Sequence, residues 1–199
     1  MKPRPYARAA ELLAAVLSSA QPADREIERY FRSHREMGSK DRAFAAEAVY
    51  ACLRHKRLLE HQLDAATPHN LLAAYLAAQQ GWSARALQEA GYSGDAAALV
   101  ARIRQTDSRQ LPPAVRVSLP DWIYDSLTAQ LGESETIALA EALNRPAPVD
   151  VRVNTLKSKR DEAAAALAAE GHPCTPTPYS PFGLRLNERA PLFKTRAFQ

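Results

Sequence analysis

The sequence predicts a mainly helical fold followed by a small, incomplete α/β unit. Apolar residues recur at helical spacing through most of the chain up to Leu143, and the prolines Pro146 and Pro148 close that stretch, because proline lacks a backbone N–H and its ring clashes with the preceding turn. Val149, Val151 and Val153 then alternate with Asp150, Arg152 and Asn154, the period of a half-buried strand.

The elements follow in order. Ala9, Leu12, Leu13, Val16 and Leu17 mark a helix from Tyr6 to Leu17, and Ile27, Tyr30 and Phe31 mark a second over 23–34. Ser39 is placed to cap a third through its hydroxyl, helped by Asp41 in the first turn, and that helix carries Phe44, Ala45, Ala48, Val49, Cys52 and Leu53. Leu12, Val16, Phe44, Val49 and Leu53 are expected to share one core. Helical character resumes at Leu58, Leu59 and Leu63, and again over 70–79, 83–90 and 95–106, with Gly81, Gly91 and Gly94 as punctuation. Leu111, Pro112 and Pro113 read as an extended linker over 111–118. A helix opened by Leu119-Pro120-Asp121-Trp122, with Pro120 in its first turn, runs to Leu131, and another over 133–143 precedes the strand at 149–154. A helix over 158–169 and a short strand, Gly183–Leu186, complete the series, leaving an α/β unit that its own last residues do not close.

Composition narrows the function classes. With 199 residues, 46% hydrophobic and 24% charged, the chain has the make-up of an ordinary globular protein of one or two domains. The net charge of +4 is unevenly placed: 12 basic against 8 acidic residues over 1–60, 5 against 9 over 61–144, and 9 against 5 over 145–199. Two basic regions therefore flank an acidic one. No apolar run approaches the ~20 residues of a membrane span, and the start lacks the apolar core of an export signal. Two cysteines, Cys52 and Cys174, lie far apart, which fits a reducing cytoplasm, and they are not at metal-ligand spacing from each other.

No glycine-rich loop of the dinucleotide or Walker type occurs, so cofactor binding is not expected of this chain, and no metal site either. The capping role explains Ser39 and Asp41 without a nucleophile. What remains is binding. Arg54, His55, Lys56 and Arg57 form a basic knot at the end of the third helix, where part of the charge serves the helix dipole. Arg152 and Asn154, both donors suited to phosphates or base edges, are followed by Lys157, Lys159 and Arg160. The alternative for both groups is simple solvation of the surface.

Two stretches resemble the Sun/Fmu (RsmB-type) RNA cytosine-C5 methyltransferases. Ala7–Ala10 through Leu17, with Asp41–Phe44, Val49, Tyr50, Leu53 and Arg54, looks like the NusB-like helical domain at that family's N terminus. Leu119-Pro120-Asp121-Trp122, Leu131-Gly132, the run from Asn144 to Asn154 and Gly183–Leu186 are similar to the segment before the catalytic domain. The resemblance implies a NusB-like RNA-binding domain over 1–110, a linker over 111–118, and over 119–199 the helical plus RRM-like N-terminal part of the methyltransferase region. It also implies RNA, ribosomal by family, and a C-terminal catalytic domain as partners, with S-adenosyl-L-methionine as the cofactor of the full-length enzyme. In that family the cofactor loop and two catalytic cysteines follow the region matched here, and neither Cys52 nor Cys174 occupies such a motif. No catalytic residue is carried over, and the chain alone is expected to be inactive, placing RNA through Arg152, Asn154, Lys157, Lys159, Arg160, Arg54, Lys56 and Arg57. The rivals are a stand-alone NusB-like RNA-binding or protein-docking module, disfavoured by a strand expected to be left unpaired, and a structural helical adaptor.

Overall fold

The computed structural model describes residues 5–188, 190 and 192–199. The chain forms two compact units, residues 1–144 and 145–199. Residues 1–4, where the absence of an export signal was read, and positions 189 and 191 lie outside the described residues.

The first unit is helical: α1 (Pro5–Ser18), α2 (Ala23–Ser33), α3 (Ser39–Arg54), α4 (Lys56–His61), α5 (Pro68–Gln80), α6 (Ala84–Ala90), α7 (Ala96–Gln105), α8 (Pro113–Arg116), α9 (Asp121–Leu131) and α10 (Glu133–Leu143). Its core centres on α1, packed against α3 and α5. Leu12, Leu13, Val49, Leu59, Leu71, Leu72 and Leu76 are buried there, where removing apolar surface from water is the main stabilising contribution. Side chains fix several helix starts. Thr67, Ser83 and Asp95 accept from the backbone N–H of Asn70, Ala86 and Ala98, each satisfying one of the donors a helix start leaves open.

Two expectations are corrected here. Gly38, not Ser39, is the cap of α3; Ser39 is the first helical residue, and no side-chain capping bond forms. Leu12, Val16 and Val49 are buried as expected, but Phe44 and Leu53 only border the core, Phe44 because its ring turns toward Trp82, near-parallel at 6.4 Å between centroids.

Residues 111–118 are held rather than extended throughout. Pro112 and Pro113 start the short helix α8, since proline suits a first helical turn, and Ala114, Val115 and Val117 are buried. Ser118 turns the chain at φ 56, a left-handed conformation unusual for a residue with a Cβ, and its hydroxyl oxygen accepts from Leu58 N at 3.2 Å. Asn144 Nδ2 donates to Val117 O at 2.8 Å, which ties the end of α10 back to the same turn.

The second unit holds β1 (Val149–Arg152), α11 (Arg160–Ala169), β2 (Cys174–Pro176) and β3 (Gly183–Leu186). The sheet order is β1-β3-β2, with both pairings antiparallel. β1 and β2 therefore run in the same direction with β3 between them, a split β-α-β arrangement. The strand expected to be unpaired is thus the one paired on both sides. Val153, Leu167, Leu184 and Leu186 form the core of this unit, with Val149 and Val151 against it, as the alternation of β1 requires.

Candidate nucleic-acid interface

β1 places its valines inward and Asp150 and Arg152 outward. Asp150 stands opposite Arg185 of β3, whose Nε and Nη2 reach its carboxylate at 2.7 and 2.8 Å. The Arg185 hydrogen bond holds the Asp150 carboxyl below the usual carboxylate range. Two residues on, Arg152 lies opposite Gly183 and has no ion pair among the described residues.

The chain then turns sharply, and Asn154 makes the turn. Its Oδ1 accepts from Leu156 N at 3.1 Å, and its backbone carbonyl from Lys157 N and Ser158 N at 3.0 and 3.1 Å. α11 begins directly afterwards, with Glu162 accepting from Lys159 N at 3.0 Å and from Ser158 Oγ at 3.3 Å. Lys157, Lys159 and Arg160 therefore sit at the positive end of a helix dipole, where cations are unfavourable. Asp161 and Glu162 offset them locally, and helix stability does not account for the three charges.

Arg152, Asn154, Lys157 and Ser158 meet around one cleft of about 230 Å³ whose interior is apolar, lined by Val151, Ala163, Leu167 and Leu184. Lys159 and Arg160 continue the basic surface onto α11 without lining it. The far wall is the 192–199 segment, a feature that sequence reading missed because nothing in Leu192–Gln199 has a strand or helix period.

The other basic group is arranged differently. Arg54 ends α3, and α4 follows after His55, whose pKa is lowered by burial and by the neighbouring Arg54 charge. Lys56 pairs with Glu60 one turn along α4. Arg57 donates to the carbonyl of Leu119 and, at 2.6 Å, to Asp121, binding α4 to the start of α9. Two of the three cations are thus engaged inside the unit, Lys56 by a neighbour one turn away and Arg57 by residues far along the chain, a contact that only the fold reveals. Among the described residues no His, Cys, Asp and Glu group has the form of a metal site. Among the described residues no helix is long and apolar enough to cross a membrane either.

Comparison with known proteins gives partial matches. Residues 119–192 match the ferredoxin-like domain of the RsmF/B-like methyltransferases. Among individual relatives, the chain is similar to the ribosomal RNA small subunit methyltransferase B of Thermus thermophilus, 32% identical over 56% of this chain and 32% of that protein. It is also similar to a probable ribosomal RNA small subunit methyltransferase B of Synechocystis sp., 32% identical over 40% of this chain and 18% of the relative. These matches support the Sun/Fmu family for the parts they cover; the chain spans about a third or less of either relative's length. The solved structure of PH0851 has the same fold at a TM-score of 0.61, 15% identity, and coverage of 100% of this chain and 52% of that one.

Proposed function

We propose that this chain is the RNA-binding, substrate-placing N-terminal region of an S-adenosyl-L-methionine-dependent rRNA (cytosine-C5) methyltransferase. The observation that carries the reading is the set of cations at the β1 to α11 turn, Arg152, Lys157, Lys159 and Arg160, inside the family's ferredoxin-like domain and set against the helix dipole. They neutralise backbone phosphates, and Asn154 holds the turn that gathers them. Arg54, Lys56 and Arg57 form a secondary patch, weakened by the pairing of Lys56 and Arg57. In the full-length enzyme, residues 1–110 act as a NusB-like RNA-binding domain and 119–199 as the part that leads into a C-terminal catalytic domain. That domain supplies the cofactor site and the catalytic cysteines, and the whole works in the cytoplasm on ribosomal RNA.

The test is a titration of the chain with small-subunit rRNA fragments at several salt concentrations, beside calorimetry with S-adenosyl-L-methionine. RNA affinity that falls steeply with salt, with no saturable heat from the cofactor, is expected. Salt-independent or undetectable RNA binding refutes the placement role, and saturable cofactor binding refutes the division of labour.

A further inference from the structure

We infer that the cleft at the β1 to α11 turn seats a single unpaired nucleotide of RNA, its phosphate against Arg152 and Lys157 and its base in the apolar interior beside Phe198. The inference rests on the RNA-binding reading above and adds to it the form in which RNA is taken. A surface built for phosphates alone needs charge and no depth. This one has both: a cationic rim over a cavity of about 230 Å³ floored by Val151, Ala163 and Leu184. A duplex presents phosphates but keeps its bases stacked, whereas an unpaired nucleotide offers an anion and a flat apolar face together.

The wall carrying Phe198 is fixed in place. Glu170, just past the end of α11, accepts from the backbone N–H of Arg196 and Ala197 at 3.0 and 3.1 Å, which holds its carboxyl below the usual range. Thr195 is buried, and its hydroxyl donates to Leu192 O at 2.7 Å. Phe193 meets Phe198 edge-on at 4.8 Å, yet Phe198 stays 56% exposed, so ring surface remains for stacking. At the rim the amide N–H groups of Asn154 have no partner among the described residues, since its turn uses only Oδ1 and the backbone carbonyl. They are donors within reach of a base edge or ribose.

The experiment follows the amide and methyl resonances of the whole chain during titration with nucleoside 5′-monophosphates and, separately, ribose 5-phosphate. The monophosphates are expected to shift Val151, Ala163 and Phe198 together with Arg152 and Lys157, and to bind more tightly than ribose 5-phosphate. Phe198→Ala is expected to weaken monophosphate and single-stranded RNA binding roughly tenfold, as loss of one stacking partner does, while leaving duplex binding unchanged. Ala163→Leu, which fills the floor, is expected to do the same. Equal affinity for ribose 5-phosphate, shifts confined to Arg152 and Lys157, or an acidic peptide displacing the nucleotide would each overturn the nucleotide seat while leaving salt-dependent RNA binding intact. Failure of every RNA to bind would instead refute the placement reading itself.

Discussion

Asp150 and Arg185 oppose each other across β1 and β3 as a two-pronged ion pair, Nε at 2.7 Å and Nη2 at 2.8 Å from the carboxylate. The pair engages the one acidic side chain on the outward face of β1, which leaves Arg152 beside it without an ion pair among the described residues. It also pins the strand register, because a one-residue slip would send every side chain to the opposite face.

The Asp150 carboxyl titrates below its ordinary value, so its contribution to the second unit is present above the unfolded carboxylate range and is lost as the pH falls through the folded value. The amide resonances of residues 149–152 and 183–186 are expected to show acid destabilisation below about pH 4, diminished in Asp150→Asn. Both groups are partly exposed, so added salt should mimic part of the effect. Identical acid profiles for the two proteins would refute this assignment.

Arg152→Ala and Arg57→Ala separate the two basic groups. The first should lower RNA affinity and reduce the salt slope by about 0.7 to 0.9 in log affinity against log salt, the value of one phosphate contact, without changing thermal stability. The second should leave the slope nearly unchanged and cost about 1 to 2 kcal/mol, because it strips the hydrogen bonds to Leu119 and Asp121. Parallel anisotropy titrations and denaturant melts give the answer, and an exchange of the two patterns would reverse the roles.

Core truncation should follow burial rather than residue size. Leu72→Ala, at a position 1% exposed, should cost about 2 to 5 kcal/mol in urea unfolding. Phe44→Ala should cost less than the ~3 to 5 kcal/mol of a fully buried phenylalanine, since its ring sits at the margin of the core against Trp82. A larger loss at Phe44 than at Leu72 would contradict this packing.

The two thiols should differ in reactivity. Burial pushes the Cys52 thiol up to about 12, and its Sγ lies 3.8 Å from the carbonyl of Leu71, whereas Cys174 on β2 is only half-buried and less shifted. A thiol reagent at neutral pH should label Cys174 slowly and Cys52 only after unfolding, because the thiolate is the reacting species. Rapid native labelling of Cys52 would mean that the core opens far more readily than its packing indicates.

Most helices were legible in the sequence because their signals are local. Thr67, Ser83 and Asp95 cap the helices they precede, and Gly81 and Gly91 end α5 and α6 with positive φ. What escaped depends on partners distant along the chain. α8 is a single turn behind two prolines, recognisable only from the burial of Val115 and Val117. β2 is three residues long and ends in Pro176, so only its pairing with β3 defines it. At the candidate interface the cations could be read directly, but the turn-forming bond of Asn154, the engagement of Arg57 and the wall at 192–199 arise from folded geometry.

The placement of β3 between β1 and β2 sets a timetable for synthesis. Neither edge strand has a partner until Gly183–Leu186 has been made, so a nascent chain halted at Phe182 can form α11 but no sheet at all. β2 and β3 are close enough to join as a hairpin first, and β1, more than thirty residues upstream, must then be captured by the free edge of that hairpin. Until then Val149, Val151 and Val153 are exposed to solvent and to other chains. The local bonds of the Asn154 turn can form before β3 exists, but the pairing that sets Arg152 opposite Gly183 cannot, so the proposed RNA-binding surface is assembled only once Gly183–Leu186 has been added.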